Sequence, residues 1–155
     1  MTCCFLRQDI PSGASKNQHM RRLGELTIRS VPEEIDKVTT FVGNCGTRIG
    51  LRNRETLDAQ ISADEACSNV IAYAYPGREG GIHIVCETGD GYFAVTVSDD
   101  GMPFNPLAIP EPDLTSDLDN RDLGGLGIHL IRSLMDEVDY ERRDDKNVLV
   151  MKKKV

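Results

Sequence analysis

A glutamate and an asparagine four residues apart are the first residues of this sequence whose types and spacing suggest chemistry. Glu65 and Asn69 lie in a run without Gly or Pro, from about residue 55 to 75, and four-residue spacing places them on one helix face. A carboxamide oxygen can hold a hydrated Mg²⁺ against phosphates, while a neighbouring carboxylate accepts a proton from a hydroxyl. A helix with a polar edge in water explains this stretch alone equally well.

Two glycine-containing motifs downstream add to this chemistry. Asp99-Asp100-Gly101 follows a predicted strand, where an acid can accept a hydrogen bond from an exocyclic amine and a glycine lets a flat ring approach the backbone. Gly124-Gly125-Leu126-Gly127 precedes a predicted helix and could cradle a phosphate with free backbone N–H groups. Alone, the first motif is also an ordinary turn and the second a hinge. Neither is a Walker or a Rossmann motif.

The periodicity of the chain predicts the elements that must position these residues. Helices are predicted at 32–46, 55–75 and 128–136, and strands at 25–30, 82–87, 92–98, 138–142 and 148–151. Between them, a long irregular stretch up to residue 122 is typical of a lid. This order indicates an α+β protein, a two-layer α/β sandwich with a mixed, mostly antiparallel sheet and helices on one face.

Composition excludes several classes of function. With 155 residues the chain is long enough for one buried core, and its net charge of −7 argues against a nucleic-acid partner. No apolar run approaches the roughly 20 residues that span a bilayer. The cysteines number five and lack CxxC spacing, so we expect reduced thiols and a cytoplasmic location.

The three motifs in this order resemble the N, G1 and G2 boxes of the Bergerat-fold ATPases, the GHKL superfamily of gyrase, Hsp90, histidine kinases and MutL. Within it, the Glu-Ala-Cys-Ser-Asn-Val box, the following Ala74-Tyr75 and the segment Asp-Gly-Met-Pro-Phe-Asn-Pro look like the anti-sigma factor serine kinases of the RsbW type. The resemblance covers residues 24 to 153. It implies a histidine kinase-like ATPase domain at 24–155, preceded by a tail or arm at 1–23.

At the phosphate end, the resemblance implies binding of ATP and Mg²⁺. Asn69 would ligate Mg²⁺ and Glu65 would act as the catalytic base, while Gly125 and Gly127 would lie at the phosphates. At the base end, Asp99 would bond the adenine amino group.

Gly101 would lie beneath the adenine ring, and Asp100 is a rival for the role at the amino group. The sequence also departs from the family's pattern. Tyr73 stands where a histidine is common, and Pro103 replaces the second glycine of Asp-x-Gly-x-Gly. The last box, usually Gly-Thr, reads Lys146-Asn147-Val148, so no residue is assigned from it.

The implied function is that of an ATP-dependent protein serine/threonine kinase and anti-sigma factor in a partner-switching module. Its substrate would be a STAS-domain anti-anti-sigma protein, and a sigma factor is a further candidate partner. The alternative is a non-catalytic ATP-binding adaptor or anti-sigma module. A histidine kinase catalytic domain fits less well, because a dimerising helical hairpin has no room in this length. Dimers are usual in the family, so a homodimer stays open.

Overall fold

The computed structural model describes residues 19–110 and 126–155. Five strands run β1 (Arg21–Arg29), β2 (Gly81–Gly89), β3 (Tyr92–Asp99), β4 (Glu137–Arg143) and β5 (Lys146–Lys154). The three α-helices are α1 (Ile35–Arg48), α2 (Asn53–Tyr73) and α3 (Leu126–Leu134). Short 3-10 turns cover Pro32–Glu34 and Pro106–Ala108.

The strands form one sheet in the order β1-β2-β3-β5-β4, and every pairing in it is antiparallel. The helices contribute to one core on one face of this sheet. On the other face, the described residues that line a broad groove belong to strands, their turns and the residue before β1. The predicted α+β two-layer sandwich is therefore confirmed, with a fully antiparallel sheet.

Small residues let α2 lie close to the sheet. Its buried positions include Ala59, Ala63 and Ala66, which are nearly inaccessible to solvent. Leu, Ile or Phe at these positions would hold the helix further away, because interiors are close-packed. The close approach brings Ala66 and Val70 of α2 next to Asp99 at the end of β3.

Two-residue turns join both hairpins. Asp90 and Gly91 connect β2 to β3, and Asp144 and Asp145 connect β4 to β5. All four residues have positive φ, between 51° and 81°. Such turns match the twist of the flanking strands, which explains why Asp and Gly occupy them.

Several predicted boundaries differ from the structure by a few residues, and those of β1 and β5 matter most. β1 begins at Arg21, so the predicted arm of residues 1–23 ends inside the sheet. A register shift between Arg22 and Gly24 interrupts the alternation that would have marked this start. β5 begins at Lys146, two residues before its predicted start at Val148. In the described part of the chain, no helix has both the length and the apolar character needed to cross a bilayer.

Candidate functional site

Glu65 and Asn69 both face the start of α3. A Cβ atom added to Gly127 would lie 2.6 Å from Oε2 of Glu65 and 3.7 Å from Oδ1 of Asn69. The backbone of the first turn of α3 therefore meets both side chains, and the missing side chain of Gly127 leaves room for the carboxylate. A helix N-terminus carries free N–H groups and a partial positive charge, which favour an anion at this point.

The environment of these two side chains is that of an incomplete polar site. Burial raises the pKa of Glu65, and the charge of Asp64 raises it further. The side-chain nitrogen of Asn69 is buried and has no hydrogen-bond partner among residues 19–110 and 126–155. Because the nitrogen and oxygen of a carboxamide are assigned from their partners, the unpaired position can also present the oxygen. A buried amide without a partner is uncommon and indicates a place for a ligand.

The donor set fits a hydrated Mg²⁺ that is bound mainly by a ligand's own oxygens. In residues 19–110 and 126–155, no three His, Cys, Asp or Glu side chains come together in a way that could enclose a metal ion. One amide oxygen from Asn69 is a sufficient protein ligand for Mg²⁺, which keeps several waters and phosphate oxygens in its shell.

Asp99 is the last residue of β3, and only 5% of its surface is exposed. Its Oδ1 accepts hydrogen bonds from the backbone N–H of Gly101 and from Nδ2 of Asn147, each at 2.9 Å. Burial raises the pKa of Asp99, although these two bonds act in the opposite direction. Asp99 thus presents a buried acceptor to the interior between α2 and the sheet.

The adjacent Asp100 points elsewhere. It is exposed, and its Oδ1 accepts a hydrogen bond of 2.7 Å from the hydroxyl of Tyr75. This bond holds the pKa of Asp100 below its usual range. Asp99 rather than Asp100 lines the cavity against α2, so the geometry favours Asp99 for contact with a buried ligand.

Gly101 is required by packing of the protein itself. A Cβ atom at this position would lie 2.4 Å from the carbonyl oxygen of Ala74, which follows the end of α2. The backbone N–H of Met102 donates to the same carbonyl oxygen at 2.9 Å. The glycine thus makes room for the end of α2, and its predicted place beneath a flat ring stays a prediction.

A cavity of about 20 Å³ lies between Asp99 and the helix residues Ala66 and Val70. This volume holds about one water molecule and is too small for a purine. Phe104 forms part of its wall, and the ring of Phe104 stacks on Tyr73 with centroids 4.9 Å apart. A ligand of purine size fits between Asp99 and α2 only if this cavity enlarges.

The two sites are neighbours along α2. Glu65 and Asn69 face Gly127, while Ala66 and Val70, each one residue further along, face the cavity beside Asp99. Two turns of one helix therefore connect a site suited to phosphates with the buried acceptor Asp99 and the small cavity beside it. This arrangement matches an elongated ligand with an anionic end and a base.

Gly125 and the predicted lid between residues 111 and 122 lie outside the described residues, as do residues 1–18 of the predicted arm. The structure thus brings together Glu65, Asn69 and Gly127 at one site and Asp99 and Gly101 at the other.

A model of the histidine kinase-like ATPase domain matches residues 28–153. The chain belongs to this family. The match confirms the resemblance found from the N, G1 and G2 boxes.

Two relatives of this chain are named as protein kinases. The chain is 32% identical over 92 residues to the serine/threonine-protein kinase BtrW of Bordetella bronchiseptica, an alignment that covers 59% of this chain and 65% of BtrW. It is 26% identical over 132 residues to the serine-protein kinase RsbW of Bacillus mycoides, which covers 83% of this chain and 82% of RsbW. The resemblance to RsbW-type proteins is thereby confirmed.

A solved structure shares the fold. The crystal structure of the RsbU and RsbW domains of a Mycobacterium tuberculosis protein superposes with a TM-score of 0.58 at 15% identity. The superposition covers 84% of this chain and 32% of the other. At this identity the likeness concerns the fold alone.

Sequence reasoning missed Asn147, Phe104 and Arg142. Asn147 is 5% exposed and occupies the place of the family's last box. The signal was present in the alternation of β5, where Asn147, Leu149 and Met151 share the core face. A polar residue at a core-facing strand position indicates a buried hydrogen-bonding role.

Proposed function

We propose that this protein is an ATP-dependent protein serine/threonine kinase that acts as an anti-sigma factor in a partner-switching module. Its substrate is a serine or threonine of a STAS-domain anti-anti-sigma protein, and a sigma factor is its second partner. The names of the curated relatives, serine-protein kinase RsbW and serine/threonine-protein kinase BtrW, support this class of activity.

One observation carries the proposal. Glu65 and Asn69 face the N-terminus of α3 from the same two turns of α2 that line the cavity beside Asp99. This arrangement supports a nucleotide whose phosphates would lie beside a candidate base and a candidate metal ligand and whose base would reach Asp99. Phosphoryl transfer depends mainly on such positioning and on charge neutralisation.

The reaction assigns a task to each of these residues. The substrate hydroxyl oxygen bonds to the γ-phosphorus, the bond from that phosphorus to the bridging oxygen breaks, and ADP leaves. Glu65 accepts the hydroxyl proton, and its raised pKa makes it a stronger base than an ordinary carboxylate. Asn69 would hold Mg²⁺, which neutralises phosphate charge when bound. The N–H groups at the start of α3, including that of Gly127, would bind phosphate oxygens.

Asp99 would accept a hydrogen bond from the adenine amino group, while Gly101 keeps the loop beside Asp99 packed against α2. Gly125, in the same glycine motif as Gly127, is proposed to contact the phosphates as well. We place the protein in the cytoplasm, where ATP is available and where the buried Cys45, Cys67 and Cys86 stay reduced.

The test is transfer of labelled γ-phosphate from Mg-ATP to purified STAS-domain proteins, with nucleotide binding measured by calorimetry in the same samples. We expect label on a serine or threonine, lost in Glu65→Gln with ATP binding retained. Glu87→Gln is the matched control, because Glu87 lines the groove on the face of the sheet opposite to the helices. Binding without transfer in the wild type would replace the kinase by a non-catalytic nucleotide-binding module. Absence of binding would refute both.

A further inference from the structure

Asn147 uses its whole hydrogen-bonding capacity inside the protein. Its Nδ2 donates to Oδ1 of Asp99 and to the carbonyl oxygen of Met102, both at 2.9 Å. Its Oδ1 accepts from the backbone N–H of Phe104 at 3.1 Å and from the hydroxyl of Tyr140 at 2.7 Å. A carboxamide has two donor hydrogens and two acceptor lone pairs, and all four are engaged here.

These partners allow only one orientation of the Asn147 amide. The carboxylate of Asp99 and the carbonyl of Met102 are acceptors, so the nitrogen must face them. The N–H of Phe104 can only donate, so the oxygen must face it. Because Asn147 is 5% exposed and pairs directly with Asp99 across β3 and β5, water does not compete for these bonds.

The consequence for Asp99 is a difference between its two oxygens. Oδ1 receives two N–H donors, from Asn147 and Gly101. No described residue donates to Oδ2. Asp99 is therefore held by one oxygen with the other left to accept from a ligand, which is the arrangement that recognition of an amino group requires.

We propose that Asn147 is a positioning residue of the base pocket, which fixes Asp99 by one oxygen so that the other accepts from a 6-amino purine. Through Met102 and Phe104 it also fixes the loop that forms the pocket wall. The inference rests on the proposed nucleotide-binding function and adds to it a determinant of base specificity. A purine without the amino group gains nothing from the orientation of Asp99.

The experiment compares ATP with purine riboside triphosphate, which lacks the 6-amino group, in calorimetric titrations with Mg²⁺. We expect the wild type to prefer ATP. Asn147→Leu, which keeps the branching of the side chain and has no donor, should weaken ATP binding about tenfold (about 1.4 kcal/mol) more than it weakens binding of the analogue, because the analogue is affected only by the changed pocket wall. A parallel loss for both nucleotides, or no loss, would show a purely structural role and overturn the inference.

Asn147→Asp keeps the inference testable if the leucine variant does not fold. The new carboxyl group at position 147 would lie against Asp99, and two adjacent carboxyl groups share one proton. When the group at position 147 carries this proton, it can again donate to Asp99. The loss in ATP affinity relative to the wild type should shrink as the pH falls from about 8 to about 5.5. Arg142, Asp100 and Tyr140 are the other titratable groups around this pair, and they are common to both proteins. A relative loss that does not change with pH would contradict the proposal.

Tyr92→Phe is the matched control, because it removes a hydrogen bond to Glu137 at the opposite end of β3. It should change neither affinity. The outcomes also separate the two proposals. A wild type that binds neither nucleotide would refute the nucleotide-binding function and this inference together. A wild type that prefers ATP, with that preference unchanged in Asn147→Leu, would refute this inference alone.

Discussion

Replacing Gly127 by alanine should separate the folding of this protein from its chemistry. The new methyl carbon would lie 2.6 Å from Oε2 of Glu65, whereas ordinary contact begins at 3.4 Å. The carboxylate must therefore move by about 0.8 Å, which the flexible end of a glutamate can do. Alanine is also a better helix former than glycine, by up to about 1 kcal/mol in a helix interior. We expect the free energy of unfolding to stay equal or to rise slightly.

The rate of phosphoryl transfer should fall in the same variant. A displacement of about 1 Å in a catalytic group can cost about 100-fold in rate. We expect single-turnover transfer of labelled γ-phosphate to fall by about that factor in Gly127→Ala. ATP affinity, measured by calorimetry, should change little, because the backbone N–H groups of α3 remain.

Gly43→Ala is the matched control for this experiment. Gly43 lies in α1, and its added Cβ would meet the end of a flexible polar side chain, Gln60, far along the helix pair from the site. Transfer by Gly43→Ala should equal that of the wild type. Wild-type transfer by a folded Gly127→Ala protein would refute the reasoning, because Glu65 would then not depend on its contact with Gly127.

Three further predictions concern the same site. Asp99→Asn should lower ATP affinity at least about tenfold, while urea unfolding at pH 7 shows equal or higher stability. The sign follows from the raised pKa of Asp99. The contribution of Asp99 to stability is present below its pKa in the unfolded chain and is lost as the pH rises through its pKa in the folded protein. The buried ionised carboxylate therefore destabilises the protein at neutral pH, and asparagine removes this destabilisation. Phe104→Ala should speed nucleotide association in stopped-flow measurements, because the ring of Phe104 forms part of the wall of a cavity of only about 20 Å³. It should also lower the free energy of unfolding by roughly 1 kcal/mol, because the stacking on Tyr73 is lost. The rate of single-turnover transfer should fall as the pH decreases through the raised pKa of Glu65, and the fall should begin at a higher pH than an ordinary carboxylate would cause.

Local signals in the sequence predicted much of the fold and part of the site. Four-residue spacing on an uninterrupted helix was enough to place Glu65 beside Asn69, because that geometry depends only on the helix. The turn at Asp90-Gly91 was likewise predictable, since positive φ at both residues favours Asp and Gly. These features need no information from distant parts of the chain.

Asn147 was not predictable in the same way. The sequence suggested a four-residue turn at 144–147, whereas the turn consists of Asp144 and Asp145 alone. This error of two residues moved Asn147 out of the strand and hid its core-facing position. Its partner Asp99 is 48 residues away in sequence, and the pairing of β3 with β5 follows from the register of the whole sheet. The contact of Tyr73 with Phe104 is non-local for the same reason.

Asn147 also explains how the chain accommodates Pro103. The loop after Asp99 is held through the N–H groups of Gly101, Met102 and Phe104, and through the carbonyl groups of Gly101 and Met102. None of these bonds uses the N–H of residue 103, which proline lacks, so proline there costs no hydrogen bond. A glycine at this position would let the backbone of the loop move, whereas proline restricts it.

The cavity beside Asp99 must nevertheless enlarge before a purine can enter. With the loop backbone held by Asn147 and stiffened by Pro103, the movable part is the side chain of Phe104, whose stacking partner Tyr73 is 40% exposed. An exposed stacked pair separates at low cost, since such contacts are worth only about 1 kcal/mol. If the protein binds a nucleotide as proposed, the departures at positions 73, 103 and 147 act together: the fixed loop orients Asp99, and the aromatic pair separates to admit the base.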